Sequence, residues 1–388
     1  MEPLFSGFLL RLWHHAPLKF MWWKRLQLNY KPSLFVKVLC SILLFLLIAV
    51  GTWSLFRSGP DAETRPAEKP FVDPGILMSY PTAQTRLADT NNPAVYMPTG
   101  SGRIESAWYG SVRTRNFGSS YLPAFHEGVD IAPTARDSKG RAIDAVYTVA
   151  DGRIGYINRI AGNSSYGVYV VMFHSNRLGE YYTLYAHLAS VTPGIHMGDR
   201  IPRGTQIGQM GHTTTLDIPV SRSHLHFEIG TMFNDRFSSW YRKQEMKPYH
   251  GNMHGYNLGG LNPMGVFPYM HDKTLFDFQE YILNYPVAYR MIVRNTGKLD
   301  YYNRYPALWI GPDPSGALVM DVSENGVPLK ARAATPEERT RVQKDRASIL
   351  EVFPEVLGRN GDRVIVQKNG KWVMGSDSQQ WLDILLYR

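Results

Sequence analysis

The sequence predicts a mainly β protein: an antiparallel β-sheet domain, an N-terminal transmembrane helix ahead of it and a small α+β module behind it. Three observations predict this. Between about 101 and 232, short runs of β-branched and aromatic residues alternate with glycine turns, as in 145–150 before Asp151-Gly152, 167–173 and 181–188. Further upstream, Val38 to Phe56 is a run of nineteen residues without a charge. Beyond about 272, brief helical and strand patterns mix without a repeat.

Taken in order, residues 1–33 form an aromatic, basic arm, with Arg11, Lys19, Lys24, Arg25 and Lys31 against Glu2 alone. The uncharged run follows within 34–56. As a helix it spans roughly 28 Å, enough to cross a bilayer core. The arm is long and the apolar run exceeds a usual signal peptide's, so an uncleaved anchor is expected in preference to a cleaved leader. The basic arm then stays in the cytoplasm and the rest of the chain lies on the extracytoplasmic (periplasmic) side of the membrane. Residues 57–100 are rich in Pro, Asp, Glu, Thr and Asn and read as a linker. The β domain is expected over 101–268, with a polar loop insertion at 233–258. Residues 269–388 are the C-terminal module. It has an amphipathic helix expected at 275–283, a charged helix at 336–350, and a hairpin at Asn369-Gly370.

Composition narrows the chemistry. Net charge is +9, which favours anionic surfaces or envelope polymers, and no nucleic-acid fingerprint accompanies it. Cys40 is the single cysteine, so neither an internal disulfide nor a multi-cysteine zinc site is available. A metal here must be held by histidine and carboxylate.

Such a set exists. Ser223-His224-Leu225-His226-Phe227-Glu228 alternates polar and apolar, so as a strand it points His224 and His226 to one face and Leu225 and Phe227 into the core. Two imidazoles about 7 Å apart on a strand face suit a ligand and a neighbouring acid or base. About a hundred residues upstream, His126-Glu127-Gly128-Val129-Asp130 places an imidazole and a carboxylate on one side of an extended chain. Together these make up the donors of a zinc site with an open position and a spare imidazole.

With these residues in view, the chain resembles the lysostaphin-type (LytM-like) zinc metallopeptidases, which cleave peptides of bacterial peptidoglycan. The resemblance covers about 108–230 and 261–267. It rests on His126-x-x-x-Asp130, Tyr185-Ala186-His187-Leu188 and His224-Leu225-His226-Phe227-Glu228, in the family's order. It implies that His126, Asp130 and His226 bind Zn2+, and that His187 and His224 flank the reacting water as catalytic groups. It also implies peptidoglycan peptides as substrate. Glu127, next to a ligand on an extended chain, is expected to face away. The enlarged turn at 136–144 and the segment 212–222 depart from the family's pattern beside the expected groove. The expectation is therefore a membrane-anchored zinc metalloendopeptidase acting on the cell wall. The alternative is a non-catalytic scaffold that activates wall amidases. His174, His196, His212 and His271 are expected at the surface or in turns, and His250 and His254 in a loop. For Trp240, Tyr241 and Tyr249, packing of the inserted loop competes with a place on the groove wall. The aromatic stretch 301–309 is expected to be buried.

Overall fold

A computed structural model describes residues 75–117, 120–358 and 364–388. The expected anchor, basic arm and first part of the linker lie outside the described residues. Among the described residues no helix is long and apolar enough to cross a membrane.

The protein is mainly β, and its principal sheet is antiparallel. Its strands run in spatial order Leu258–Leu261, Leu225–Met232, Gly179–Val191, Val168–Asn176, Gly152–Asn158, Arg200–Ile201. Gly179–Val191 is the longest, at thirteen residues. Its first half pairs with Leu225–Met232 and its second half with Gln206–Met210. Alternation sorts its side chains. Tyr181, Tyr185 and Leu188 enter the main core, whereas Tyr182, Leu184 and Ala186 pack on the opposite face with Tyr169 and Val171.

Within the stretch read as a linker, Met78, Leu87, Val95 and Tyr96 are buried. Tyr96 bridges Ile131, and Met97 N–H donates to the Asp130 carbonyl at 2.9 Å. That segment therefore closes the free edge of the short strand Val129–Ile131.

The C-terminal region forms a second sheet, ordered Trp309–Ile310, Pro328–Ala333, Ser315–Val322, Tyr289–Thr296, Ala347–Val352. Tyr301, Tyr302 and Tyr305 are buried as expected. Tyr305 donates to the Glu180 carbonyl at 2.9 Å, and the Tyr301 hydroxyl lies 3.0 Å from that of Thr231, so these tyrosines join the two sheets. The hairpin at Asn369-Gly370 is present, with Lys368 opposite Lys371 and both turn residues at positive φ. The two helices are shorter than expected. Asp277 caps a helix at Phe278–Leu283, which leaves Leu275–Phe276 as a strand paired with Ile76–Leu77. The charged stretch is helical only over Pro336–Arg339 and Thr340–Val342, because Ala347–Val352 is taken up as an edge strand beside Tyr289–Thr296.

His174 is a correction. It is 1% exposed, with Nδ1 2.8 Å from the Asp151 carbonyl and Nε2 2.8 Å from the Thr183 hydroxyl. Strand Val168–Asn176 is covered on both faces, so its polar residue is enclosed with the rest. Burial pushes the imidazole down to about 4, against hydrogen bonding to Asp151. The unfolded chain then binds the extra proton, so stability falls as pH drops from about 6.5 through 4. The loss amounts to roughly 3 kcal/mol. Urea unfolding at pH 7 and pH 4 is expected to show that loss shrinking by this amount in His174→Gln.

Candidate metal centre

The site is assembled by strand pairing. On Leu225–Met232, His226 stands opposite Asp130 on one side and opposite Ala186 on the other. His224 precedes it by two residues, and its N–H bonds the Gly211 carbonyl. His126 follows the hairpin Val112–Phe117/Ser120–Phe125. Its backbone bonds Ser111 and Gly110, which prolongs the hairpin by one residue. Gly128 makes the approach possible. A Cβ there would lie 2.5 Å from the Phe227 carbonyl and 2.9 Å from His226 Cε1. Gly128→Ala is expected to weaken zinc binding measurably in a chelator competition and to destabilise the fold by about 1–3 kcal/mol.

His187 reaches the site through a break in the alternation. Tyr181, Thr183 and Tyr185 share one face, so a regular strand would send residue 187 the same way. Instead His187 has φ 59°, the ladders slip on both sides of it, and Leu188 takes the core position. This bulge turns the imidazole over to the face of His226, with ring centroids 5.8 Å apart, and 4.9 Å from His224.

All five residues therefore meet. His126 Nε2, Asp130 Oδ1 and His226 Nδ1 form a triangle with sides of 3.1, 3.1 and 3.0 Å. Donors about 2.0–2.1 Å from a tetrahedral ion stand roughly 3.3 Å apart, so the set fits zinc with little adjustment. His224 Nε2 is 3.5 Å from Asp130 Oδ1, on the border of the triangle. The ring nitrogens that face away are tied down. His126 Nδ1 is 2.8 Å from the Trp108 carbonyl, His187 Nδ1 2.9 Å from that of Thr213, and His224 Nδ1 2.7 Å from that of Arg222. Each must donate there, which leaves each Nε2 with its lone pair turned to the site. His226 is reversed: its Nε2 is 2.8 Å from Glu228 Oε1, so Nδ1 faces the other donors.

Charge follows the same pattern. Burial and then the Arg113 guanidinium push His126 down to about 4. Burial, then His224 and His226, push His187 well below the usual imidazole range. For Asp130, burial pushes upward, but Arg113, His126 and His224 together hold it well below the usual carboxylate range. Burial also opposes charge on His226, yet hydrogen bonds to Asp130 and Glu228 raise it to about 9. A proton on His226 Nδ1 competes with a metal for the same lone pair, so metal binding must release it.

The centre opens into a groove of about 1110 Å³. Trp108, Tyr109, Arg113, Tyr166, Leu216 and Arg222 are among the residues that line it. Glu127 lines this groove rather than facing away, because the strand ends at Phe125 and regular alternation ends with it. None of residues 136–144 lines the groove. Arg136 instead reaches the carbonyls of Val220 and Ser223 and braces the entry to the His224 strand. Trp240 packs on Phe237, and Tyr249 is exposed away from the groove lining. Glu228, Arg113 and the orienting carbonyls belong to the site without being singled out by the sequence. Only Glu228 carried a signal, since period 2 places it on the face of His226.

Residues 124–238 match the model of peptidase family M23, and the chain carries an M23 domain there. No curated protein matches. Among solved structures, the chain is similar to a zinc-containing peptidase from Vibrio cholerae, at 24% identity and TM-score 0.22, over 34% of this chain and 39% of that one. It is also similar to Helicobacter pylori Csd3, at 20% identity and TM-score 0.25, over 51% and 40%. The catalytic domain of lysostaphin from Staphylococcus simulans aligns at 16% identity and TM-score 0.27, over 48% and 98%. The chain thus spans well under half the length of the first two.

Proposed function

We propose that the M23 domain makes this chain a zinc metalloendopeptidase that hydrolyses peptide bonds in bacterial peptidoglycan. The observation that carries the reading is the donor triangle of His126, Asp130 and His226 at the floor of an open groove, bordered by two further imidazoles. Zinc held by those three residues would supply a Lewis acid, polarising a carbonyl and making water acidic near neutrality.

The chain's own groups account for the proton traffic. His187 and His224 each hold a proton on Nδ1 against a backbone carbonyl and present Nε2 to the site. Either can take a proton from the attacking water at Nε2 and pass it to the leaving amine. The aromatic side chains of Trp108, Tyr109 and Tyr166 along the groove give an extended peptide surfaces to lie on. Persistence of all five side chains favours the enzyme over the scaffold that activates amidases. The proposal also includes anchoring in the cytoplasmic membrane with the groove on the periplasmic side, supported by the uncharged run Val38 to Phe56 and the basic arm before it.

Detergent-solubilised full-length protein, incubated with zinc and purified peptidoglycan, is expected to release new muropeptides. Mass spectrometry of the products identifies the bond. A scaffold predicts no release and stimulation of an added amidase instead.

A further inference from the structure

Glu228 is a carboxylate with no exposed surface, lying behind His226 and used by no step above. Oε1 is 2.8 Å from His226 Nε2, and Oε2 accepts from the Tyr182 hydroxyl at 2.8 Å. Tyr166, which lines the groove and lies 5.7 Å from the His226 ring, is near enough for its hydroxyl to favour the charged form of the same carboxylate. A buried anion costs several kcal/mol unless every lone pair is met, and an apolar residue packed there would generally be no less stable. His226 and Tyr182 each reach one oxygen of Glu228, so its charge is sustained at that cost. What the arrangement secures is the orientation of one imidazole.

Histidine 226 has two nitrogens within reach of acceptors, and only Nδ1 faces His126 and Asp130. If the proton settled on Nδ1 in the neutral ring, the donor triangle would lose a corner. We propose that Glu228 is a positioning residue. By accepting the Nε2 proton of His226, it makes Nδ1 the metal donor and adds negative charge behind the ligand. Tyr182 holds Glu228 in turn. Tyr166 belongs to the groove lining and packs against the His226 ring, so the groove also touches the metal ligand directly. The inference rests on the zinc reading above. Both of its effects, ring orientation and added ligand basicity, act in the same direction, towards tighter binding.

Zinc affinity of the full-length protein, measured by chelator competition, tests it. Glu228→Ala is expected to weaken binding about 10–100-fold. Glu228→Gln keeps an acceptor but loses the charge, and should fall in between. Tyr182→Phe removes one of the two donors on Glu228 and leaves the carboxylate in place, so it should shift affinity only a few-fold. The visible spectrum of the Co2+-loaded protein reports ligand geometry and should change in both Glu228 variants, a readout that looser packing alone would not move. Where Glu228→Ala does not fold, Glu228→Gln decides: wild-type affinity with a wild-type Co2+ spectrum overturns the inference. Failure of the unmodified protein to bind zinc overturns this inference and the zinc reading together, whereas normal binding with unaltered variants overturns the inference alone.

Discussion

His226→Ala is expected to bring peptidoglycan hydrolysis to background and to abolish stoichiometric zinc binding. Two separate effects lead there. The first is loss of one of three donors, which leaves His126 and Asp130 as a two-point site that does not hold zinc against a chelator. The second is electrostatic. His226 lies between two buried carboxylates, 3.0 Å from Asp130 Oδ1 and 2.8 Å from Glu228 Oε1. Removing the ring leaves both anions without that partner in a water-poor site. Breaking a buried pair in this way costs about 3–5 kcal/mol. Denaturant unfolding in the presence of EDTA, where zinc contributes nothing, should therefore still show His226→Ala less stable than the wild type. Equal stability in EDTA would mean that the His226 contacts carry no net energy, and residual zinc-dependent hydrolysis would remove His226 from the ligand set.

How much of this was legible in the sequence depends on whether a residue obeys a period. The face shared by His224, His226 and Glu228 follows from strand alternation, and the structure places all three there. His126 and Asp130 belong to a turn and a three-residue strand, where spacing suggested a common side but not the cross-strand pairing that sets Asp130 opposite His226. The main-chain acceptors Trp108, Thr213 and Arg222 have no residue-type signature, since any residue offers a carbonyl. Arg113 reaches Asp130 from a hairpin whose proximity depends on tertiary packing. The charged stretch after Pro336 reads as helix by composition, yet an unpaired sheet edge beside Tyr289–Thr296 claims Ala347–Val352. Local propensity loses there to ladder hydrogen bonds. His174 misled for a related reason: a histidine in an otherwise apolar strand is enclosed when both faces of that strand are covered, and periodicity does not reveal the second cover.

His187 is the residue for which alternation points the wrong way, and it separates acid–base work from metal binding. As a regular strand residue it would join Tyr185 in the core. The left-handed backbone at φ 59° delivers it to the groove at a steric cost of about 1–2 kcal/mol. Gly167 helps to hold it there: a Cβ on Gly167 would lie 2.0 Å from the Thr213 carbonyl, the group that orients His187 Nδ1. The cleanest replacement is His187→Asn, because asparagine tolerates this backbone far better than alanine does and cannot shuttle protons near neutrality. Since His187 lies outside the donor triangle, zinc affinity should stay within about threefold of wild type, the Co2+ spectrum should be little altered, and KM should hold. Turnover should fall by about 10²–10⁴-fold, the usual loss when a positioned acid or base is removed. Loss of zinc in His187→Asn would instead make the residue a ligand, and undiminished turnover would leave His224 as the sole proton carrier. The strained backbone at His187 would then have no catalytic reason to persist, and relieving it should stabilise the fold without cost to the reaction.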